Sequence, residues 1–329
     1  MPLSPSKAIS SSQALAAAAA AAAAALPQEP TPNTHTTHTF QSTSSTYNSV
    51  EYLLYLPSSW TPNPDKPLPI ILFLHGAGEI NKGKCLCKDR ATGRKSLVND
   101  GAWRLRTVPG MLPALVDQLV KQQEDVGDEV TEDISFPFIL ISPQCPKPVR
   151  FGSSQELMND LVHIIHHDVC QQYNGDASNV FVTGLSMGGC GTWSIATQHS
   201  NVFKAAAPIC GGFSGFQESL LRLRGIWCFH GANDSVIPVN QSDVAVRKLK
   251  KGIEMQKMFG LSFASKKTDS LEVEGKEEGE EIRKEIEVKY TRYETSPTPI
   301  GAPNMKGHGS WIQAYFESEL LVWFEGMVD

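Results

Sequence analysis

The apolar residues of this chain fall in short continuous runs, spaced so that strand-like and helix-like stretches alternate. Pro69-Ile70-Ile71-Leu72-Phe73-Leu74 and Phe138-Ile139-Leu140-Ile141 contain no polar side chain. An unbroken run of that length predicts a strand covered on both faces. Further strands are predicted over 51–57, 180–183, 205–209, 226–229 and 286–290. The stretches between them carry helical spacing. Residues 155–172 place Leu157, Leu161, Ile164 and Ile165 on one side. Residues 188–200 follow, then 242–257 with Val244, Val246, Leu249 and Ile253, then an amphipathic stretch over 311–324. This order predicts an α/β fold: a mostly parallel, doubly wound sheet with helices on both faces. Ligands in such sheets bind at the carboxyl ends of the strands.

Three segments break the alternation. Residues 1–46 are rich in Ala, Ser, Thr and Pro, which predicts a disordered segment; the folded body is expected over 47–329. A poly-alanine run ending at Ala25-Leu26-Pro27 has the apolar core and small residues of a secretory signal, lacks acids as a transit peptide would, and equally fits a low-complexity tract. Residues 81–100 are rich in Lys, Gly and Cys and are expected to form an exposed loop. Residues 265–284 are dominated by Lys and Glu, which predicts a solvated, charged insertion before the last strand.

Composition narrows the function classes. The chain has 329 residues, 41% of them hydrophobic, and a formal net charge of −6. That is enough apolar material for a sizeable core, and it gives no basic footprint for nucleic acid. No apolar stretch is long enough to span a bilayer. Seven cysteines, several of them in strand-like runs, read as free thiols in a reducing compartment, so a cytoplasmic location is expected. Cys85-x-Cys87 lacks a second pair at zinc spacing, and His163, His166 and His167 share a helix without an HExxH pattern. Neither a metal nor a cofactor is expected.

The candidate chemistry begins at Gly184-Leu185-Ser186-Met187-Gly188-Gly189, between a predicted strand and a predicted helix. Gly-x-Ser-x-Gly in that context is a nucleophile elbow, a turn so tight that its glycines must lack side chains. The following helix points its N-terminus at the serine, which favours negative charge there. A serine hydroxyl needs a base to take its proton, and the base needs an acid to orient it. Elbow enzymes carry these in the order Ser, acid, His. Asp234 lies just past the strand 226–229, in a turn-rich loop, and His308 lies in Gly307-His308-Gly309 ahead of the last helix. His75 and His230, at strand ends beside glycines, fit the base less well. An oxyanion needs two backbone donors. Met187 is expected to give one, and Ala77 the other, with Gly76 as the alternative, from the loop after the strand 70–74. Gln144, Trp193 and Trp311 each stand beside a motif and are candidate substrate-pocket residues.

As a set, these motifs resemble the α/β-hydrolase superfamily, and within it the esterases near the acyl-protein thioesterase/carboxylesterase and polyhydroxybutyrate-depolymerase-like groups. The resemblance rests on Leu74-His75-Gly76-Ala77-Gly78-Glu79, Ser142-Pro143-Gln144-Cys145-Pro146, 183–193, Pro208-Ile209-Cys210-Gly211-Gly212, His230-Gly231-Ala232-Asn233-Asp234 and His308-Gly309-Ser310-Trp311. It implies a serine esterase with Ser186, Asp234 and His308 as triad, acting on a small-molecule carboxylic ester or thioester through an acyl-enzyme. The alternatives are a serine peptidase on the same triad and a non-catalytic ligand-binding scaffold. Relatives usually carry an acid after the histidine, where this chain has Gly309. Short acyl or small aromatic esters are expected, because no long insertion follows the elbow. Nothing in the pattern specifies an oligomeric state.

Overall fold

The computed structural model describes residues 31–62, 66–80, 85–88, 95–98, 106, 111–126, 136–213, 218–259 and 286–329. Most of the segment 1–46 and the charged stretch 265–284 lie outside the described residues.

Eight strands form one sheet in the order β1-β2-β6-β3-β7-β8-β9-β10. They are β1 (His35–Gln41), β2 (Ser49–Tyr55), β3 (Leu68–Leu74), β6 (Ile139–Pro143), β7 (Gly175–Leu185), β8 (Ala205–Ile209), β9 (Gly225–Gly231) and β10 (Glu287–Tyr293). From β6 to β10 every neighbouring pair is parallel; β2 runs against both β1 and β6. β4 (Cys85–Lys88) and β5 (Lys95–Val98) form a separate antiparallel pair, in a region expected to be loop.

The continuous apolar runs are explained by two cores. Along β3, Ile70, Leu72 and Leu74 enter one cluster and Ile71 and Phe73 the other, as the two-residue period of a strand requires. One face is covered by α2 (Gln155–His163), α3 (Met187–Gln198) and α4 (Asn240–Phe259). The opposite face is covered by α1 (Leu112–Val126), α5 (Ser310–Phe316) and α6 (Leu320–Glu325).

Three expectations need correction. The folded part starts before residue 47, because β1 occupies 35–41 and pairs with β2 over seven positions. Its His-Thr-Thr-His-Thr-Phe pattern was polar enough to read as disorder, yet threonine is β-branched and fits an edge strand. The single helix expected over 155–172 passes into a π-helical segment at Ile164–Cys170 and one last turn at Gln171–Tyr173. The C-terminal helix is two helices. Ser318 separates them, since its hydroxyl donates to the Ala314 carbonyl and accepts from the Leu320 amide, a side-chain competition that interrupts helices.

Among the described residues, no helix is long and apolar enough to cross a membrane. Cys145, Cys170, Cys190, Cys210 and Cys228 are unpaired thiols.

Candidate active site

Ser186 joins the end of β7 to the start of α3 with φ 56° and ψ −117°. A non-glycine residue in that region costs about 1–3 kcal/mol and persists only where its surroundings enforce it. Here the Ser186 amide donates to the Ile209 carbonyl at 3.0 Å, and its carbonyl accepts from the Cys190 amide at 3.0 Å. The flanking glycines are obligatory. A Cβ on Gly188 would stand 1.9 Å from the Leu74 carbonyl oxygen, and one on Gly184 would stand 2.6 Å from it.

Asp234 follows β9 in a turn closed by its amide on the Gly231 carbonyl at 3.2 Å. One carboxylate oxygen, Oδ1, accepts from the amides of Val236 at 2.8 Å and Ile237 at 3.0 Å. The other, Oδ2, lies 2.7 Å from His308 Nδ1 and 3.3 Å from His230 Nε2. Burial alone would raise this carboxyl. The hydrogen bonds from His230 and His308, the charge interaction with His308 and the Val236 amide outweigh it and hold the group well below the usual carboxylate range.

The loop carrying His308 is stitched to the acid loop. The Ser235 amide donates to the Lys306 carbonyl at 2.9 Å, and the His308 amide to the Met305 carbonyl at 3.1 Å. His308 Nε2 lies 2.8 Å from Ser186 Oγ. An ionised carboxylate only accepts, so Nδ1 carries the ring proton and the Nε2 lone pair faces the serine hydroxyl. Trp311 stands edge-on to this ring at 5.7 Å. Gly309 is also explained, because a Cβ there would lie 2.6 Å from the Pro297 carbonyl oxygen, leaving no room for the acid that relatives usually carry.

Ala77 opens a 3₁₀ turn (Ala77–Glu79) directly after β3, and Met187 is the first residue of α3. The turn lies against the elbow: a Cβ on Gly76 would be 3.7 Å from Ser186 Cβ. Gln144 is buried behind this turn, where its Nε2 donates to the Glu79 carbonyl at 2.8 Å. Trp193 is 1% exposed and stacks on Phe213 at 4.7 Å. Its helix turns that face into the larger apolar cluster.

Two buried histidines behind the site are not among the expected site residues. His75 Nδ1 is 2.6 Å from the Gly76 carbonyl, and its Nε2 accepts from the Cys145 amide at 3.0 Å. His230 contacts Asp234 and also Ser242. The signal was present: each ends a buried strand and precedes a glycine.

Cys210, Asp234 and His308 offer ligand atoms within 4.8 Å of one another. The donor set does not suit a metal. Burial pushes the Cys210 thiol up and keeps it neutral, and both His308 ring nitrogens are already engaged.

No family model matches the chain, and no curated protein matches it. Among solved structures, a thermostable esterase is 25% identical with a TM-score of 0.54, over 89% of this chain and 62% of that one. The chain therefore spans less than two thirds of that esterase. An S-formylglutathione hydrolase from Agrobacterium tumefaciens is 12% identical, with a TM-score of 0.47, over 90% of this chain and 95% of that one. A fluorophosphonate-binding serine hydrolase of Staphylococcus aureus is 13% identical, with a TM-score of 0.47, over 91% of this chain and 100% of that one. The chain's own mostly parallel eight-stranded sheet and the elbow between β7 and α3, together with the likeness to the first of these, give it the α/β-hydrolase fold.

Proposed function

We propose that the protein is a serine hydrolase that cleaves carboxylic esters through an acyl-enzyme on Ser186. The observation that carries this reading is the unbroken line from Asp234 Oδ2 to His308 Nδ1 at 2.7 Å and from His308 Nε2 to Ser186 Oγ at 2.8 Å. In this reading Ser186 Oγ attacks the ester carbonyl while His308 Nε2 takes its proton. Asp234 keeps the imidazole in the required tautomer and stabilises the imidazolium. The amides of Met187 and Ala77 donate to the oxyanion. His308 then returns the proton to the leaving alcohol, and a water activated by the same imidazole releases the acid.

Trp311 supports the His308 ring, and Gln144 supports the turn that carries Ala77. We assign both to positioning the reacting groups, not to contact with the acyl group. Short acyl or small aromatic acids are favoured, because the elbow runs straight into α3 and then β8, with no inserted element between Gln198 and Ala205.

The test is turnover of p-nitrophenyl esters of increasing acyl length, with labelling by a fluorophosphonate probe. Ser186→Ala is expected to abolish labelling and lower kcat by about 10⁴-fold or more. Undiminished labelling or turnover in that variant would overturn the assignment.

A further inference from the structure

We propose that His230 is a positioning residue for the acid of this site, a second imidazole that holds the Asp234 carboxylate in the orientation from which it steers His308. The inference rests on the triad reading above.

His230 is fully buried near the end of β9. Its Nε2 is 2.9 Å from the Ile237 carbonyl oxygen and 3.3 Å from Asp234 Oδ2. Both oxygens only accept, so Nε2 carries the proton; it donates to the Ile237 carbonyl and stands beside Asp234 Oδ2. Nδ1 is then bare, and it accepts from the Ser242 hydroxyl at 2.7 Å. One tautomer satisfies all three contacts, and α4 fixes it through Ser242.

The geometry ties the ring to the acid loop twice. Ile237 presents its carbonyl to His230 and its amide to Asp234 Oδ1. The carboxylate therefore sits among four donors: two amides on Oδ1, and one imidazole on each side of Oδ2. With His230 removed, Oδ2 keeps only its bond to His308 Nδ1. The other groups around the ring are already committed. Asp243 on α4 pairs with Arg292 on β10 at 3.2 Å and accepts from the Tyr290 hydroxyl at 2.7 Å. The Cys228 thiol, pushed up to about 12 by burial, stays neutral.

The test uses the full chain with His230→Leu, His230→Gln and Ser242→Ala. kcat and KM on p-nitrophenyl acetate are measured across pH 5–9, with thermal unfolding alongside. His230→Leu is expected to lower kcat about 10- to 10²-fold with KM little changed, the size expected of a misplaced catalytic group. Its acid limb should move to higher pH, because the Asp234 carboxylate loses a donor that spreads its charge. His230→Gln retains a donor and recovers most of the loss; Ser242→Ala falls between. A packing role would lower the unfolding temperature without moving the limb, and that result overturns the inference. If His230→Leu does not fold, an unmoved limb and wild-type kcat in both other variants overturn it equally. Ser186→Ala separates the two layers: turnover retained there overturns the triad reading itself, whereas turnover lost there with indifferent His230 variants overturns only the role of His230.

Discussion

Ser186 is flanked by two loops that look alike in sequence and are built differently. Each begins with His-Gly at the carboxyl end of a buried parallel strand, His75-Gly76 after β3 and His230-Gly231 at the end of β9. Each histidine is fully buried. His75 donates to the Gly76 carbonyl and accepts from the Cys145 amide, with the Gln144 side-chain amide 3.3 Å from the same Nε2, and burial pushes its pKa down to about 4. It is a neutral brace for the 3₁₀ turn that carries Ala77. His230 reaches a charged side chain instead, beside a carboxylate held well below its usual range. One dipeptide thus serves two electrostatic tasks: both rings bond a backbone carbonyl, but only His230 also stands beside a buried carboxylate, whose ionised form gains from every donor around it.

Removing the charge on the acid side is expected to have the largest effect. Asp234→Asn preserves shape but presents a group that can donate, which favours the wrong imidazole tautomer. kcat is expected to fall by about 10⁴-fold, with KM within a few-fold. Steady-state kinetics on p-nitrophenyl acetate measure it. Asp234 stays ionised well below neutral pH, so its own protonation does not shape the wild-type profile there. Comparable losses from Asp234→Asn and from a change at His75 would erase the distinction drawn above.

Acid stability separates the two sides in the other direction. His75 has an ordinary value of 6.5 and falls to about 4 in the fold, through burial partly offset by its bond to Gly76. The unfolded chain therefore binds this proton before the native state does. Its contribution is full above about pH 6.5, is lost as pH falls, and levels off below about 4, a loss on the order of 3 kcal/mol. His35 acts in the same sense, lowered to about 4 mainly by burial, which the Asp117 carboxylate 3.6 Å away only partly offsets. The depressed Asp234 adds its loss only at more acidic pH. Urea denaturation at pH 7.5 and 4.5 should show the drop, and His75→Asn should remove part of it. An equal drop in that variant would place the acid sensitivity elsewhere.

The two sides were unequally legible in the sequence. Ser186, Asp234 and His308 are readable because nucleophile, acid and base follow strand ends in a fixed order, and a strand end has only one rim on which to place them. The parallel strands are readable because burial on both faces demands unbroken apolar runs. β1 was missed because its residues make their case only through pairing with β2, a contact between segments and not a local property. His75 and His230 were missed as supports for a related reason. A buried histidine is defined by what faces each nitrogen, and those partners, the Cys145 amide and the Ser242 hydroxyl, stand 70 and 12 residues away. The packing of Trp193 into the core is not legible, because proximity to the elbow in sequence says nothing about which face of α3 it occupies.

The smallest effects should come from the brace on the oxyanion side, and they test whether its parts act together. Gln144 donates to the Glu79 carbonyl at 2.8 Å, closing the 3₁₀ turn that starts at Ala77. Gln144→Met keeps the volume and removes the donor, leaving that carbonyl short of about 1 kcal/mol of net hydrogen bonding. kcat is expected to fall about 3- to 10-fold with KM within twofold, and fluorophosphonate labelling should slow in parallel, because both need the same oxyanion donors. His75→Asn keeps a donor for the Gly76 carbonyl but loses the acceptor for the Cys145 amide, so its effect should be of similar size. If both residues act by holding one turn, the second substitution finds that turn already loosened, and the double variant loses less than the product of the single losses. Full multiplicative losses would mean that the two side chains support separate parts of the loop, and that Ala77 is held by only one of them.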